Sequence, residues 1–590
     1  MKGDEKMSFV NRIKNVFKSI KNSYKRFPMT IGISTALVIM LITLYEKRPY
    51  LTAGSRTIFE RVNMIVALGI PLSLCIKLIY EKSHKLNKIH EILLYIFGGV
   101  ILLLYYFFLL KDFQMVSMVR YIGVSIFLYL AFSYIPWLGR KEDFEFYIIK
   151  VFSSFFLTVI YSFVLYLGIS AILFTIDQLF NANILGKYYY YIFLIVAGIF
   201  APSLFLARIP EVEEDFHGYV YPKSLKTLLL YIVMPLITVY STILYVYFIK
   251  IIITRNWPQG LVSHLVLWYS VISVAVIFFI NPILDENRWA NRFKTWFPKL
   301  IIPILIMMFI SMGIRIREYG ITENRYFVVA LGLWVFGIML YFAFSKKLNN
   351  IIIPIFLSII AINSVFGPLS SFAISKSSQN KRLESILVKN SMLKDNKIIK
   401  VSGDIPIDDK METGMILKYF ENNHSLEDVK YLPKDFRIGD METVFGFPYV
   451  EKNPYQDNHF FYNLDYTGKA FEITGYDYFL ESYSIMGKTV NFDDADISYD
   501  GNNFEFRIME KDSDLYKANL KEYVVDIMKK HEKDNTHGKN LLDLDKATII
   551  DENDKVKVKF VITNFGGRTN TISNEPIIEN IDYYVLIKIK

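Results

Sequence analysis

The segment Leu225–Ile253 most constrains the fold, because no charged side chain lies between its Lys226 and Lys250. At 1.5 Å per residue, an α-helix over this segment is long enough to cross a hydrocarbon core of ~30 Å. Similar segments recur through the first 375 residues and then stop. The sequence therefore predicts a polytopic α-helical membrane bundle of about eleven transmembrane helices, followed by a soluble α+β domain.

The apolar segments give a domain organisation of three regions: a basic N-terminal segment at 1–27, a transmembrane domain at 28–375 and a C-terminal domain at 376–590. The predicted spans are 28–45, 62–80, 89–110, 115–138, 146–170, 188–207, 225–253, 261–284, 298–314, 326–345 and 350–375. The fifth apolar run continues to Ile176, so its end is expected to tilt, bend along the interface or re-enter.

The N-terminal segment combines many Lys and Arg residues with apolar residues at helical spacing. This pattern predicts an amphipathic helix on an anionic membrane surface. The C-terminal domain has a different pattern. After an amphipathic helix near 383–393, helices are predicted at 411–423 and 515–531, and alternating segments after Pro454 predict an antiparallel sheet.

Charge is distributed unevenly and predicts the orientation in the membrane. The first 375 residues hold 36 of the 66 Lys and Arg residues but 19 of the 57 Asp and Glu residues. Under the positive-inside rule, loop charges favour a cytoplasmic N-terminus, and eleven crossings then place the C-terminal domain outside the bacterial cytoplasmic membrane. Because the basic residues flank apolar runs, the expected partner is the lipid bilayer and not nucleic acid.

Several motifs between about residues 128 and 394 resemble a bacterial membrane-protein family, the domain of unknown function 4153. The motifs are YPKSLKTLLLYIVMPLITVYSTILYVY (221–247), WPQGLVSHLVLWYS (257–270), RIREYGITENRYFVVALGLW (315–334), FLARIPEVEEDF (205–216) and NKRLESILVKNSMLKDNKI (380–398). The resemblance implies a multi-spanning protein without an assigned activity, so it assigns no functional residue.

Ionisable residues near the predicted outer helix ends are the candidate ligand-binding residues, since such groups are costly at membrane depth. The candidates are Arg315, Arg317, Arg325, His264 and Asp177. The three arginines would bind an anionic group in an outward-facing vestibule. The alternative is that these charges pair with nearby acidic residues, and that the histidine forms a hydrogen bond to a neighbouring helix.

The sequence predicts no metal site, no cofactor and no catalytic residue. The acidic loop 208–222 is oxygen-rich but lacks the spacing of a calcium loop, and salt bridges explain it as well. Cys75 is the single cysteine, so no disulfide and no cysteine zinc site is possible within the chain. Neither a Gly-rich phosphate loop nor a G-x-S-x-G motif occurs, and an enzyme is therefore not favoured.

Two functions of different classes fit this organisation. The first is an envelope interaction or sensing protein whose extracytoplasmic C-terminal domain binds a protein, a lipid or another envelope ligand. The second is a transporter or flippase for an anionic solute or lipid, which would need a polar cavity at mid-bilayer. A third class, an enzyme acting on lipid-linked substrates, would need acidic residues converging on one cleft. The sequence does not fix an oligomeric state.

Overall fold

The structure is a computed structural model that divides into two compact units, Met1–Tyr449 and Val450–Lys590. It describes residues 21–83, 85–140, 142–212, 214–216, 218–254, 261–345, 347–401, 403, 405–450, 459–465, 470–492, 495–511, 513–534, 541–569 and 576–590. The predicted amphipathic segment at 1–27 lies largely outside the described residues.

The first unit is a helical bundle, and its described residues contain ten helices long and apolar enough to cross a membrane. Their bounds are α1 Pro28–Lys47, α2 Ala53–Lys82, α3 Lys88–Phe108, α4 Met115–Tyr134, α5 Phe144–Phe180, α6 Gly186–Ile195 continued by α7 Ala201–Leu206, α8 Lys223–Thr227 continued by α9 Met234–Thr254, α10 Leu261–Ile280, α11 Arg288–Tyr319 and α12 Glu323–Phe344. π-Helical turns at Val196–Phe200 and Leu228–Val233 join the two composite helices.

The surface of the bundle is apolar, as lipid requires. In the most apolar stretch of α3, only 11% of the residues are buried. Side chains such as Ile92, Phe97 and Leu103 are more than half exposed. A helix that is apolar on nearly every face is not solvated by water, but acyl chains match it. The protein is therefore a multi-pass membrane protein whose outer face contacts the bilayer.

The eleventh predicted span, 350–375, has a different form from the other ten. Its helix, α13 Ile352–Asn363, has 12 residues, which is too short to cross a hydrocarbon core of ~30 Å. We call the end of the bundle where α1 begins the proximal end, and the end where α1 finishes the distal end. Asn350 bonds Glu145 at the proximal end, whereas the carbonyl of Leu369 accepts a hydrogen bond from Tyr326 at the distal end. The chain thus returns to the distal end through α13 and the irregular segment that follows it.

The fifth helix settles one alternative left by the sequence. α5 runs without interruption from Phe144 to Phe180, over 37 residues. The end of the span is therefore not separated from the rest by a break in the helix. A straight helix of this length, about 55 Å at 1.5 Å per residue, extends beyond the hydrocarbon core unless it tilts.

A small layer of helices follows the bundle within the first unit. It consists of α14 Ser371–Lys389, the hairpin β1 Leu393–Lys394 and β2 Lys397–Ile398, α15 Ile407–Asn423 and α16 Met441–Val444. Its own core includes the fully buried Leu387, Leu417, Phe420 and Phe445. The chain therefore continues from the bundle directly into this layer, which we call the junction layer.

The second unit is an α+β fold with two antiparallel sheets. Its elements are β3 His459–Leu464, β4 Tyr478–Glu481, α17 Ser482–Ile485, β5 Thr489–Phe492, β6 Ala495–Asp500, β7 Glu505–Glu510, β8 Ser513–Asn519, α18 Leu520–Asp534, β9 Leu541–Leu542, α19 Leu544–Ala547, β10 Thr548–Glu552, β11 Val556–Thr569 and β12 Pro576–Ile589. One sheet has the order β4-β12-β11-β3-β9, with β10 also paired to β11, and the other has the order β5-β6-β7-β8. β9 joins its sheet parallel to β3, and the other pairings are antiparallel.

The predicted fold class is confirmed, with differences in detail. Residues 513–519, which include the start of the predicted helix 515–531, form β8. Leu515, Tyr516 and Ala518 are buried in the core, and Tyr516 and Ala518 pair with residues of β7. The helix proper begins at Leu520. The compact units divide after Tyr449, so the region 376–449 packs with the bundle. The boundary at 376 stays a prediction of where the chain leaves the membrane.

Candidate functional site

The turn between α11 and α12 carries a buried carboxylate, Glu323, at the first position of α12. Its residue exposure is 7%, and a carboxylate buried to this extent is costly unless it is hydrogen-bonded. The hydroxyl of Tyr419 donates to both carboxylate oxygens, at 2.7 and 2.9 Å, and Nε2 of His424 lies 2.8 Å from Oε1. The amino end of a helix also favours a negative charge. We call Glu323, Tyr419 and His424 the junction triad.

Two members of the triad come from the junction layer and are held by packing. Tyr419 lies in the last part of α15, and His424 follows that helix, with 2% of its side chain exposed. The His424 ring centroid lies 6.4 Å from that of Phe372 and 6.0 Å from that of Phe420. Burial, together with the charge of Glu323, raises the pKa of the Tyr419 hydroxyl above its ordinary value. Tyr419 therefore stays a neutral hydrogen-bond donor to the carboxylate.

Cationic and amide groups satisfy the carbonyl end of α11 beside the triad. Arg325 donates to the carbonyl oxygens of Tyr319 and Gly320, at 3.1 and 2.7 Å. From α14, Arg382 and Gln379 donate to the Tyr319 carbonyl at 2.8 and 3.2 Å. The last carbonyl groups of a helix have no partner within the helix, so these donors complete them. The same contacts attach α14 to the α11–α12 hairpin.

A glycine permits this close approach. Gly320 has φ +69°, and a Cβ atom built there would lie 2.6 Å from Cδ of Arg382 and 2.9 Å from Nε2 of Gln379. An L side chain at this position would be strained by the backbone and would displace both donors.

A cavity of about 810 Å³ lies in the junction layer next to the triad. We call it the His424 cavity, because His424 lines it while bonding to Glu323. Its charged lining residues are Glu421, Glu427, Lys434, Asp435 and Arg437. A ligand in this cavity would contact a residue that is hydrogen-bonded to the first turn of a membrane-spanning helix.

The structure brings the predicted arginines to one helix end but gives them different environments. Arg325 is half-buried, and its guanidinium donates hydrogen bonds to backbone carbonyls. The guanidinium also lies 5.5 Å from the ring centroid of Tyr319. Arg315 is half-buried and Arg317 is exposed, and neither has a hydrogen bond or ion pair among the described residues. Binding of an anion by these three residues stays a prediction.

The other two predicted residues lie on separate helices. The Oδ1 atom of Asp177 accepts a hydrogen bond from the backbone nitrogen of Ile184 at 2.7 Å, across the turn after α5. His264 is exposed near the start of α10 and has no hydrogen bond to any described residue. The structure therefore does not join Asp177 and His264 to the arginines through any described contact.

Sequence reasoning missed Tyr419, His424 and Arg382. The triad joins residues about a hundred positions apart, with separations of 96 and 101. No local periodicity carries that information. A weak signal was present in Glu323, a carboxylate directly before a charge-poor span, because such a group needs a partner when the helix begins in a packed layer.

The acidic loop at the proximal end forms a salt bridge to α5, in which Glu214 pairs with Lys150. Lys226 of α8 pairs with Glu286, which lies outside the loop, at 3.0 Å. Both Glu213 and His217 lie outside the described residues. No group of three or more His, Cys, Asp or Glu residues that could hold a metal ion occurs among the residues described.

Comparison with known proteins identifies the family. The chain is 21% identical over 231 residues to the uncharacterised protein PM1469 of Pasteurella multocida (strain Pm70), and this match covers 39% of each chain. No solved structure matches. A family model described as "Domain of unknown function (DUF4153)" matches residues 32–387. This match extends the resemblance noted in the sequence to the first helices and covers more than half of the chain. The protein therefore belongs to the DUF4153 family of unknown function.

Proposed function

We propose that this protein is an interaction or sensing protein of the bacterial envelope. Its C-terminal domain would bind a protein, lipid or other ligand outside the cytoplasmic membrane, and the bundle would anchor the domain and transmit the binding event. The junction triad is the observation that carries the proposal. It joins the first residue of a spanning helix to the layer that precedes the C-terminal unit.

The chemistry of the triad supports a transmitting role. If α15 moved, Glu323 would lose the hydrogen bonds from the junction layer while remaining buried. An unpaired buried carboxylate is destabilising, so this movement would disfavour the present position of α12. Two sites that share such an element can bias the same equilibrium.

The packing of the bundle weighs against the transporter alternative. The interior contacts of α9 to α12 are made by large apolar side chains, among them Ile277, Leu305, Val335, Met339 and Phe342. All five are at most 1% exposed. A transport path through this region would need these side chains to separate, whereas a signal needs only a small shift of packed helices.

A reporter at the far end of α12 tests the proposal. In a Cys75→Ser background, Ser345→Cys places a thiol directly after α12, at the proximal end. We expect Glu323→Gln and His424→Asn each to change its rate of maleimide labelling severalfold in native membranes. Lys418→Gln, which removes the exposed pair with Glu421 on α15, is the matched control and should leave the rate unchanged. An unchanged rate in both triad variants would mean that the bundle is only an anchor.

A further inference from the structure

A second cavity, of about 620 Å³, lies at the proximal end of the bundle, on the opposite side from the junction layer. It forms where α5, the chain after α7 and the residues before α1 meet. We call it the Arg208 cavity. The lining residues that bear on its chemistry are Arg26, Lys150, Ser154, Arg208, Glu211 and Glu214.

Two of the three cations in this cavity are already paired. Arg26 donates from Nε and Nη2 to the carboxylate of Glu81, at 3.0 and 2.8 Å, and from Nη1 to the Ile209 carbonyl at 2.7 Å. Lys150 forms an ion pair with Glu214. The lining residues Arg26, Lys150 and Glu214 are therefore held by partners within the protein.

The remaining two charges, Arg208 and Glu211, have no ion-pair or hydrogen-bond partner for their side chains within the described part of the chain. The guanidinium carbon of Arg208 lies 5.3 Å from the ring centroid of Tyr161, and this is the contact that orients it. A guanidinium with free donors is suited to bind phosphate in a bidentate manner. Glu211 offers a carboxylate to a positively charged group in the same space.

A hydroxyl group on α5 adds to this polar surface. Ser154, which lines the cavity, is 8% exposed, and its hydroxyl has no partner among the described residues. A hydroxyl in this position is suited to donate a hydrogen bond to a molecule bound in the cavity.

The position along α5 favours a lipid as that molecule. Because α5 is longer than a hydrocarbon core of ~30 Å, its first turns can lie at the level of the headgroups. The ring of Tyr161 beside Arg208 is 44% exposed on the bundle surface. A phospholipid headgroup carries a phosphate and, beyond it, a second polar group, and the cavity offers Arg208 to the first and Glu211 to the second.

We propose that the Arg208 cavity binds the headgroup of a phospholipid of the phosphoethanolamine type. Arg208 and Ser154 bind the phosphate, and Glu211 accepts hydrogen bonds from the primary ammonium. A quaternary phosphocholine headgroup has no N–H group to donate to Glu211, so the site distinguishes the two lipids.

Native mass spectrometry of the delipidated full-length protein, titrated with phosphatidylethanolamine or phosphatidylcholine, tests the assignment. The wild type should bind phosphatidylethanolamine more tightly. Arg208→Gln should weaken that binding roughly tenfold or more, as expected for loss of a charged hydrogen bond. Glu211→Gln should reduce it to the phosphatidylcholine value and leave phosphatidylcholine binding unchanged. Arg292→Gln, an exposed arginine of α11 outside the cavity, is the matched control.

Competition separates the two sources of phosphate. Inorganic phosphate at millimolar concentration should not displace the lipid. Displacement would show a site for soluble phosphate, and equal lipid binding by the wild type and Arg208→Gln would also overturn the assignment. Should Arg208→Gln fail to fold, Ser154→Ala replaces it: weaker lipid binding supports the site, and unchanged binding rejects it.

Discussion

At the scale of single residues, buried tyrosine hydroxyls in the C-terminal unit differ in whether they have a partner. Tyr583 is fully buried and its hydroxyl has no partner among the residues that the structure describes, whereas Tyr516 donates to Oδ2 of Asp551 at 2.8 Å. Removing an unpaired buried hydroxyl costs nothing in hydrogen bonding. Removing that of Tyr516 takes a hydrogen bond from a charged acceptor, which keeps the weaker one from Tyr523 at 3.1 Å.

We therefore expect Tyr583→Phe to leave the free energy of unfolding unchanged or to raise it, and Tyr516→Phe to lower it by about 1–3 kcal/mol. Urea denaturation of the full-length protein in detergent, followed by near-ultraviolet circular dichroism, measures both. A loss with Tyr583→Phe as large as that with Tyr516→Phe would show that a bound water or another group pairs with Tyr583.

A carboxylate of the junction layer sets a pH dependence. Burial acts to raise the pKa of Asp409, but hydrogen bonds from Asn390 and Lys389 outweigh it and hold the pKa below its ordinary value. A carboxyl group with a lowered pKa in the folded state contributes stability above its unfolded pKa of about 3.9 and loses it as the pH falls through the folded value.

Asp409→Asn should therefore destabilise the protein most above about pH 5, and the difference from the wild type should shrink below about pH 4. Thermal unfolding in detergent across this range measures the effect. Asp408→Asn, an exposed neighbour on α15, is the control and should show little difference at any pH. A deficit of Asp409→Asn that does not change with pH would exclude the charge of Asp409 as its cause.

At the scale of secondary-structure elements, the turn between α11 and α12 depends on one glycine. Gly320→Ala adds a Cβ atom where φ is +69° and where Arg382 and Gln379 approach closely. We expect a loss of about 1–3 kcal/mol, because the strained backbone and the displaced donors act together.

The matched control is Gly337→Ala, inside α12, where a Cβ atom would meet nothing within 4 Å. That change should be neutral or slightly stabilising, since alanine favours a helix. Thermal unfolding in detergent compares the two variants. Equal midpoints would show that the contacts of α14 with this turn do not contribute to stability.

The sequence predicted whether a segment forms a helix or a strand correctly where a single physical requirement, such as crossing the bilayer, decides the structure. Spans such as α9 were predictable because the bilayer demands a long apolar helix whatever its neighbours are. Residues 515–519 were not, because their apolar spacing fits a helix until pairing with β7 decides otherwise. The short length of α13 was also not predictable from the sequence. An apolar run indicates that a segment avoids water, but it does not indicate where the helix ends.

The candidate sites were less predictable than the fold for the same reason. The sequence identified Arg325 as a charged residue at a helix end, but not that backbone carbonyls of the preceding turn bind it. The triad depends on His424 meeting Glu323 across 101 positions, and that contact is a product of the tertiary fold. The value of a charged residue as a ligand-binding group is therefore set by its neighbours.

At the scale of the whole molecule, the number of passages between the two ends of the bundle governs the proposed function. The ten long helices found among the described residues would alone return the chain to the end where it began. The short α13 with its following turn adds an eleventh passage, as the contacts of Asn350 and Leu369 show. With a cytoplasmic N-terminus, the C-terminal unit then emerges outside.

Labelling of engineered cysteines in intact cells tests this arrangement most directly. In a Cys75→Ser background, Asn502→Cys reports the exposed β6–β7 turn of the C-terminal unit, and Asn22→Cys reports the proximal end. A membrane-impermeant maleimide should label Asn502→Cys in intact cells and Asn22→Cys only after permeabilisation. If Asn502→Cys were protected until the cells were permeabilised, the C-terminal unit would lie in the cytoplasm and the proposed extracellular sensing role would be contradicted.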